Sequence, residues 1–225
     1  YIPPMRIIEL FYSLQGEGLL AGVPSVFIRT AGCNLACRWC DTHYARDPAA
    51  GTDLTLDAIL DRLRQWPQAR HCVVTGGEPT LAPELPALTR RLRAAGLHLT
   101  IETNATTAPE PFDYDLASLS PKLRHAGPGT PPIDPSRLRA WIRRGREAQL
   151  KLVCSGTDDL PEILALQAAL ADCLTPDRIL LMPLTEPDAD TSRARRETVV
   201  GICLAHGLRY AGRLHLELFG GRRGA

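Results

Sequence analysis

Three cysteines fall within one eight-residue stretch, Cys33-Asn34-Leu35-Ala36-Cys37-Arg38-Trp39-Cys40. Thiolates are the usual protein ligands of iron–sulfur clusters. Gaps of three and two residues let a single loop wrap three corners of a cubane. No fourth cysteine lies near, so one iron would lack a protein ligand. Such an open position is where a metal centre binds cofactor or substrate, whereas closed sites are structural. Two other chemistries suit the same residues. His43 completes a Cys3His set for zinc, and Cys37 with Cys40 forms a redox C-x-x-C pair. Spacing alone leaves all three open. The remaining cysteines, Cys72, Cys154, Cys173 and Cys203, are scattered, and Cys72, Cys154 and Cys203 sit in apolar runs as small buried hydrophobes would. An odd, dispersed set of seven argues against a disulfide framework.

A second candidate is Thr75-Gly76-Gly77-Glu78-Pro79. Two glycines let backbone approach a ligand closely, and a carboxylate suits an ammonium group. Alone, it is also an ordinary strand-to-helix turn.

These motifs need elements to hold them. Ile7–Tyr12 and Ser25–Arg29 read as strands, the second running into the cysteines. Leu56, Ile59, Leu60 and Leu63 mark a helix face, with Asp53 or Thr55 as its cap. Cys72–Thr75 is a short buried strand, Leu85–Ala95 a helix stopped by Gly96, and Leu97–Glu102 a strand. A short strand near Leu116–Ser120 precedes a Pro/Gly-rich loop, Pro121–Pro135, of a length that is more often functional than idle. Then come a helix at Arg137–Glu147, a strand at Leu150–Cys154, a helix at Leu160–Ala171, a strand at Ile179–Met182, a helix over 191–206 and a last strand at Leu214–Phe219. This alternation predicts a mostly parallel sheet with right-handed crossovers. About six βα units are present where a closed barrel has eight and about 250 residues. The expected fold is an incomplete, open βα barrel forming one domain over 1–225. The motifs then collect at the carboxyl ends of the strands, where such folds place their chemistry.

Composition is that of a soluble globular domain: 44% hydrophobic, 23% charged and a net charge of +1. That balance calls for neither nucleic acid nor an anionic membrane as partner. The run Arg143, Arg144, Arg146 reads as a solvated helix face. No stretch approaches the roughly 18 apolar residues of a membrane span. The opening Tyr1-Ile2-Pro3-Pro4-Met5 lacks the features of a secretion signal. A natural start near Met5, residues 1–4 preceding it, and a cytoplasmic location are expected.

The cysteine motif, with aromatic Trp39 before its third cysteine, resembles that of radical S-adenosylmethionine (SAM) enzymes, and Thr75–Pro79 resembles their second motif. The blocks Glu9–Gly18, Phe27–Arg29, Ala31–Leu35, Cys40–Thr42, Glu102–Asn104, Ser120–Lys122 and the Lys151 strand narrow the resemblance to the 7-carboxy-7-deazaguanine synthases. It is densest over 9–44 and extends through most of the chain.

That resemblance implies a function and a site. The enzyme would convert 6-carboxy-5,6,7,8-tetrahydropterin to 7-carboxy-7-deazaguanine with loss of ammonia, on the route to queuosine. A [4Fe–4S] cluster on Cys33, Cys37 and Cys40 would reduce SAM, and the resulting 5′-deoxyadenosyl radical would abstract a substrate hydrogen. Trp39, Cys40, Asp41, Gly77, Glu78, Ser120, Pro121 and Lys122 would hold SAM, and the Leu181–Leu184 strand end its adenosyl part. Leu14, Gln15, Gly16, Arg29, Thr75 and His215 would bind substrate, Arg29 gripping a carboxylate with its guanidinium fork. Thr42 would ligate Mg²⁺, which accepts few protein ligands. A homodimer and an electron donor such as flavodoxin or ferredoxin are further implications. The sequence departs from the family at Ala82, where Gln is frequent, and at His215-Leu216, where His-Lys is common. Two competing readings are a glycyl-radical activase, which shares both motifs but acts on a protein, and a zinc module using His43.

Overall fold

The computed structural model describes residues 2–109, 112–185 and 188–224. Nine strands form one sheet: β1 (Met5–Leu14), β2 (Pro24–Thr30), β3 (Thr52–Leu54), β4 (His71–Gly76), β5 (His98–Thr103), β6 (Leu116–Leu119), β7 (Glu147–Cys154), β8 (Ile179–Pro183) and β9 (Arg209–Tyr210). Their order is β3-β1-β2-β4-β5-β6-β7-β8-β9. The hairpin β1–β2 and the pair β1–β3 are antiparallel. From β2 to β9 every neighbour is parallel. The two edges, β3 and β9, do not pair, so the sheet is an open, incomplete barrel as expected.

Helices α1 (Leu56–Leu63), α2 (Leu85–Ala94), α3 (Pro135–Arg144), α4 (Leu160–Leu170) and α5 (Ala189–His206) lie between the strands, and α6 (Leu214–Phe219) ends the chain. Caps fix their starts. Thr55 Oγ1 accepts from Ala58 N at 3.1 Å, Asp134 Oδ1 from Ser136 N at 2.9 Å, and Asp188 Oδ2 from Thr191 N at 2.7 Å. Each such cap is worth about 1 kcal/mol.

Side chains alternate along the parallel strands. One set, including Ile28, Val74, Ile101, Leu119, Leu152 and Leu181, is buried in a single core that the helices share. The same core holds Trp141, fully buried, whose indole N–H donates to Thr107 O at 2.9 Å. The opposite set is Arg29 on β2, Thr75 on β4, Glu102 on β5, Lys151 and Val153 on β7, and Met182 on β8. These line one cavity.

Two expectations are corrected. Leu214–Phe219 is a helix, not a strand. Its leucines alternate as a strand's would, but the sheet has already ended at β9. Leu214 N donates instead to Gly16 O at 2.9 Å, drawing the segment over the cavity, and Gly220 closes the helix by donating to Leu216 O. The helix expected over Arg137–Glu147 stops at Arg144, because Glu147 opens β7 opposite Leu116. The short edge strands β3 and β9 carry too few residues for a pattern. Of the expected remnant 1–4, Tyr1 lies outside the described residues.

Candidate active site

The cavity at the carboxyl ends of the strands has a volume of about 260 Å³. One wall is the cysteine loop. It leaves β2 at Thr30 and is pinned by backbone bonds: Gly32 N to Ala45 O at 2.9 Å, Cys33 N to Arg46 O at 3.2 Å and Arg38 N to Ala126 O at 2.8 Å. Cys33, Cys37 and Cys40 are free, half-buried and on the cavity wall. Burial, and the proximity of the other sulfurs, pushes the Cys33 thiol up; burial does the same to Cys37, against the pull of Lys122. Three thiols gathered in a partly desolvated loop fit a shared cationic centre, which would stabilise all three as thiolates. His43 is exposed, packs edge-on against Tyr44 and does not line the cavity, so nothing in the geometry favours the zinc reading.

Beside this loop, β4 ends in Gly76-Gly77. Gly77 N donates to Thr30 O at 3.2 Å, and a Cβ at Gly77 would meet Gly32 O at 2.2 Å. Only glycine allows the two loops to pass so closely. Glu78 sits elsewhere than the sequence reading implied. It is 1% exposed, and Thr80 N, Thr80 Oγ1, Thr103 Oγ1 and Asn104 N all donate to its carboxylate within 3.1 Å. It therefore clamps the ends of β4 and β5 from behind the wall. Burial pushes its carboxyl up, against those four bonds. Pro121 is likewise buried and off the cavity, while its neighbours Ser120 and Lys122 line it. Lys122 Nζ donates to Ser120 Oγ at 2.8 Å and lies 5.3 Å from the Trp39 ring centre.

The other wall is charged. Lys151 is 2% exposed and lies 2.8 Å from Glu17 Oε2 and 2.9 Å from Glu102 Oε1. Gln15 Nε2 also donates to Glu102 Oε1, and Thr75 Oγ1 to Glu102 Oε2, each at 3.2 Å. Burial alone would raise the Glu17 carboxyl, but the adjoining Lys151 ammonium holds it at about 2. Burial would lower Lys151, yet the two carboxylates push it above the usual lysine range. Arg29 pairs with Glu9 at 2.7 Å, and the Tyr44 hydroxyl donates to the same Glu9 oxygen at 3.2 Å. The Gln15–Gly18 loop is fixed by Gln149, whose Oε1 accepts from Leu19 N at 2.7 Å and whose Nε2 donates to Ser118 Oγ at 2.8 Å.

Helix α6 and the residues after it close the mouth. A Cβ on Gly16 would fall 2.1 Å from His215 Nδ1, so the imidazole rests directly on that glycine. Glu17, Asp41 and His215 each present a ligand atom within 4.8 Å of the others, and Thr42 adjoins this corner, its hydroxyl 3.4 Å from Asp41 Oδ1. Arg213 reaches Asp41 at 3.5 Å and the Pro183 carbonyl at 3.4 Å. Arg223 stacks over Tyr44 at 3.4 Å.

The fold thus brings together Leu14, Gln15, Gly16, Arg29, Cys33, Cys37, Trp39, Cys40, Asp41, Thr42, Thr75, Gly77, Ser120, Lys122 and His215, and leaves Glu78 and Pro121 behind the wall. Sequence reasoning did not name Glu9, Glu17, Tyr44, Arg46, Glu102, Lys151 and Arg213 as site residues. For Lys151 a signal existed. A lysine inside Leu150-Lys151-Leu152-Val153 must be buried, and a buried cation needs partners. Arg213 carried no signal, because the strand expected after it would have placed it elsewhere, and Arg223 lies in a short Gly- and Arg-rich tail that has no pattern.

Comparison with known proteins agrees with this geometry. The Radical SAM superfamily profile matches residues 27–118. The chain is 38% identical to the 7-carboxy-7-deazaguanine synthase of Halobacterium salinarum over 96% of this chain and 91% of that one. It is 35% identical to the 7-carboxy-7-deazaguanine synthase of Pyrobaculum aerophilum over 99% and 98%. The crystal structure of QueE from Escherichia coli superposes with a TM-score of 0.72 at 28% identity, covering 94% of this chain and 95% of that one. Carrying the cysteine loop and the charged cradle on one open, mostly parallel sheet, and sharing nearly its full length with these proteins, the chain belongs to the 7-carboxy-7-deazaguanine synthase family of radical SAM enzymes.

Proposed function

We propose that this chain converts 6-carboxy-5,6,7,8-tetrahydropterin into 7-carboxy-7-deazaguanine and ammonia. The observation that carries this reading is a single cavity with a three-thiol loop on one side and a polar, doubly charged cradle on the other. Product plus ammonia equals substrate, so no net oxidant is consumed, and a hydrogen removed at the start is returned at the end. When bound on Cys33, Cys37 and Cys40, a [4Fe–4S] cluster would supply the one-electron chemistry that cleaves SAM.

The chain's own groups bind, orient and exclude water. Gly77, Trp39, Asp41, Ser120 and Lys122 would hold SAM, and Glu78 would hold the Gly77 turn rigid. Arg29 stands at the end of β2, where its fork can pair with the substrate carboxylate once Glu9 and Tyr44 have oriented it. The Glu102 carboxylate, already steered by Lys151, Gln15 and Thr75, offers an acceptor for the N–H edge of a pterin. His215 and Leu14 would cover the ring. Mg²⁺ at Thr42, one domain over 1–225, a homodimer, a flavodoxin or ferredoxin donor and a cytoplasmic location belong to the same reading. No helix among the described residues is long and apolar enough to cross a membrane.

The test is anaerobic turnover of the reconstituted protein with reductant, SAM and the pterin, products read by mass spectrometry. 7-Carboxy-7-deazaguanine with equimolar ammonia is expected, with less when Mg²⁺ is omitted. Formation of 5′-deoxyadenosine alone would remove the substrate assignment and keep the cofactor chemistry.

A further inference from the structure

We propose that Asp159 and His125 are positioning residues for Trp39, and through it for the loop that carries Cys37 and Cys40. This rests on the cluster–SAM part of the reading above. Asp159 stands at the junction of β7 and α4 with a nearly buried side chain. Its Oδ2 accepts from Ser155 N at 2.6 Å and Ser155 Oγ at 2.8 Å. Its Oδ1 lies 3.0 Å from His125 Nδ1. A carboxylate held by two other donors can only accept from the imidazole, so Nδ1 carries the proton and the ring is locked in orientation. Burial would raise the Asp159 carboxyl, but the bonds from His125 and Ser155 hold it below the usual range.

The locked imidazole packs on the indole of Trp39, with ring centres 5.9 Å apart and planes tilted by 31°. Arg38 N donates to Ala126 O at 2.8 Å, so the segment holding His125 grips the cysteine loop through backbone as well as ring. Trp39 lines the cavity, and His125 does not. His125 Nε2 and Trp39 Nε1 are both buried without a partner among the described residues. A buried polar atom left in this way is costly, and here the cost falls on the two rings that face each other across the loop. The fold gains a tether of the cluster loop to the turn between β7 and α4, a segment far from it in sequence. β7 itself carries Lys151, so the strand and the turn that follows it would set both walls of the cavity.

The experiment uses reconstituted protein and reads the cluster and SAM, not the pterin product. Asp159→Asn is nearly isosteric and must turn an amine toward either His125 or Ser155. His125→Ala removes the ring. For both, SAM affinity is expected to fall about tenfold, the low end for residues that orient a metal site's ligands. The change that SAM makes in the electron paramagnetic resonance spectrum of the reduced cluster should weaken in parallel, at unaltered iron content and in protein that remains folded at the assay temperature. Should His125→Ala not fold, Asp159→Asn decides alone. Wild-type SAM affinity and an unaltered spectrum in Asp159→Asn would overturn the proposal. A wild-type protein that cleaves SAM but makes no deazaguanine would refute the substrate assignment and leave this test standing.

Discussion

Replacing Lys151 by Met removes the cation from between two carboxylates and keeps the length of the side chain. In the native protein the ammonium sits 2.8 Å from Glu17 and 2.9 Å from Glu102 and is almost fully buried. Breaking a buried ion pair by deleting one partner costs about 3–5 kcal/mol. A second route gives a similar size. Glu17 is held at about 2 against 4.5 for a free carboxyl, which is worth about 3 kcal/mol at neutral pH. A lowered carboxylate pKa stabilises the fold above pH 4.5, and that stability drains away as pH falls toward 2. In Lys151→Met the sign reverses. With the cation gone, burial raises Glu17, so the variant is penalised at neutral pH and partly relieved as pH falls from 7 to 5. The assay is urea unfolding followed by circular dichroism, with both proteins loaded alike and kept anaerobic. At a slope of about 2–3 kcal/mol/M, the variant's midpoint should drop by about 1–2 M at pH 7, and the gap should narrow at pH 5. A midpoint within about 0.3 M of wild type, or a gap that widens on acidification, would refute the reasoning.

Other outcomes follow from named contacts. Gly77→Ala forces a methyl against Gly32 O and Ala45 O, both backbone, so one of the two loops must shift. Stability should fall by about 1–3 kcal/mol, and cluster absorbance per chain should drop on reconstitution. Cys203→Ala, in the helix-packed core, should bind as much iron as wild type, whereas Cys37→Ala should lose most of it; an iron assay distinguishes them. Arg29→Lys keeps the charge but loses the fork. The KM for the pterin should rise by about ten- to a hundredfold, the value of a charge-assisted bond, while substrate-free SAM cleavage is unaffected.

Much of this was legible in the residues. The cysteine loop and the Gly-Gly turn announce themselves by unusual residue types at short spacing, and the Gln15–Gly18 loop by the family resemblance of the block around it. The alternation of apolar strands with amphipathic helices fixed an open parallel sheet and hence the end at which the motifs meet. The illegible parts depend on long-range contact. Glu17, Glu102 and Lys151 are separated by up to 134 residues, and nothing local marks them as one network. Glu78 reads as a ligand by its motif, yet its carboxylate is consumed by Thr80, Thr103 and Asn104, which only the register of β4 against β5 brings near. Helix α6 reads as a strand in the sequence because Leu214, Leu216 and Leu218 alternate like one. What decides the outcome is the Leu214–Gly16 bond across the mouth of the cavity, together with a sheet that has already ended.

The proposed reaction requires SAM and the pterin to share this one cavity, reactive carbon beside abstractable hydrogen. The most direct measurement is isotope transfer: the pterin deuterated on its saturated ring, turned over anaerobically, with 5′-deoxyadenosine and SAM recovered and weighed by mass spectrometry. Deuterium in the adenosyl methyl carbon is the result expected from a pterin seated between Arg29 and the cysteine loop. Product 5′-deoxyadenosine that carries no deuterium, at full pterin occupancy, would contradict it.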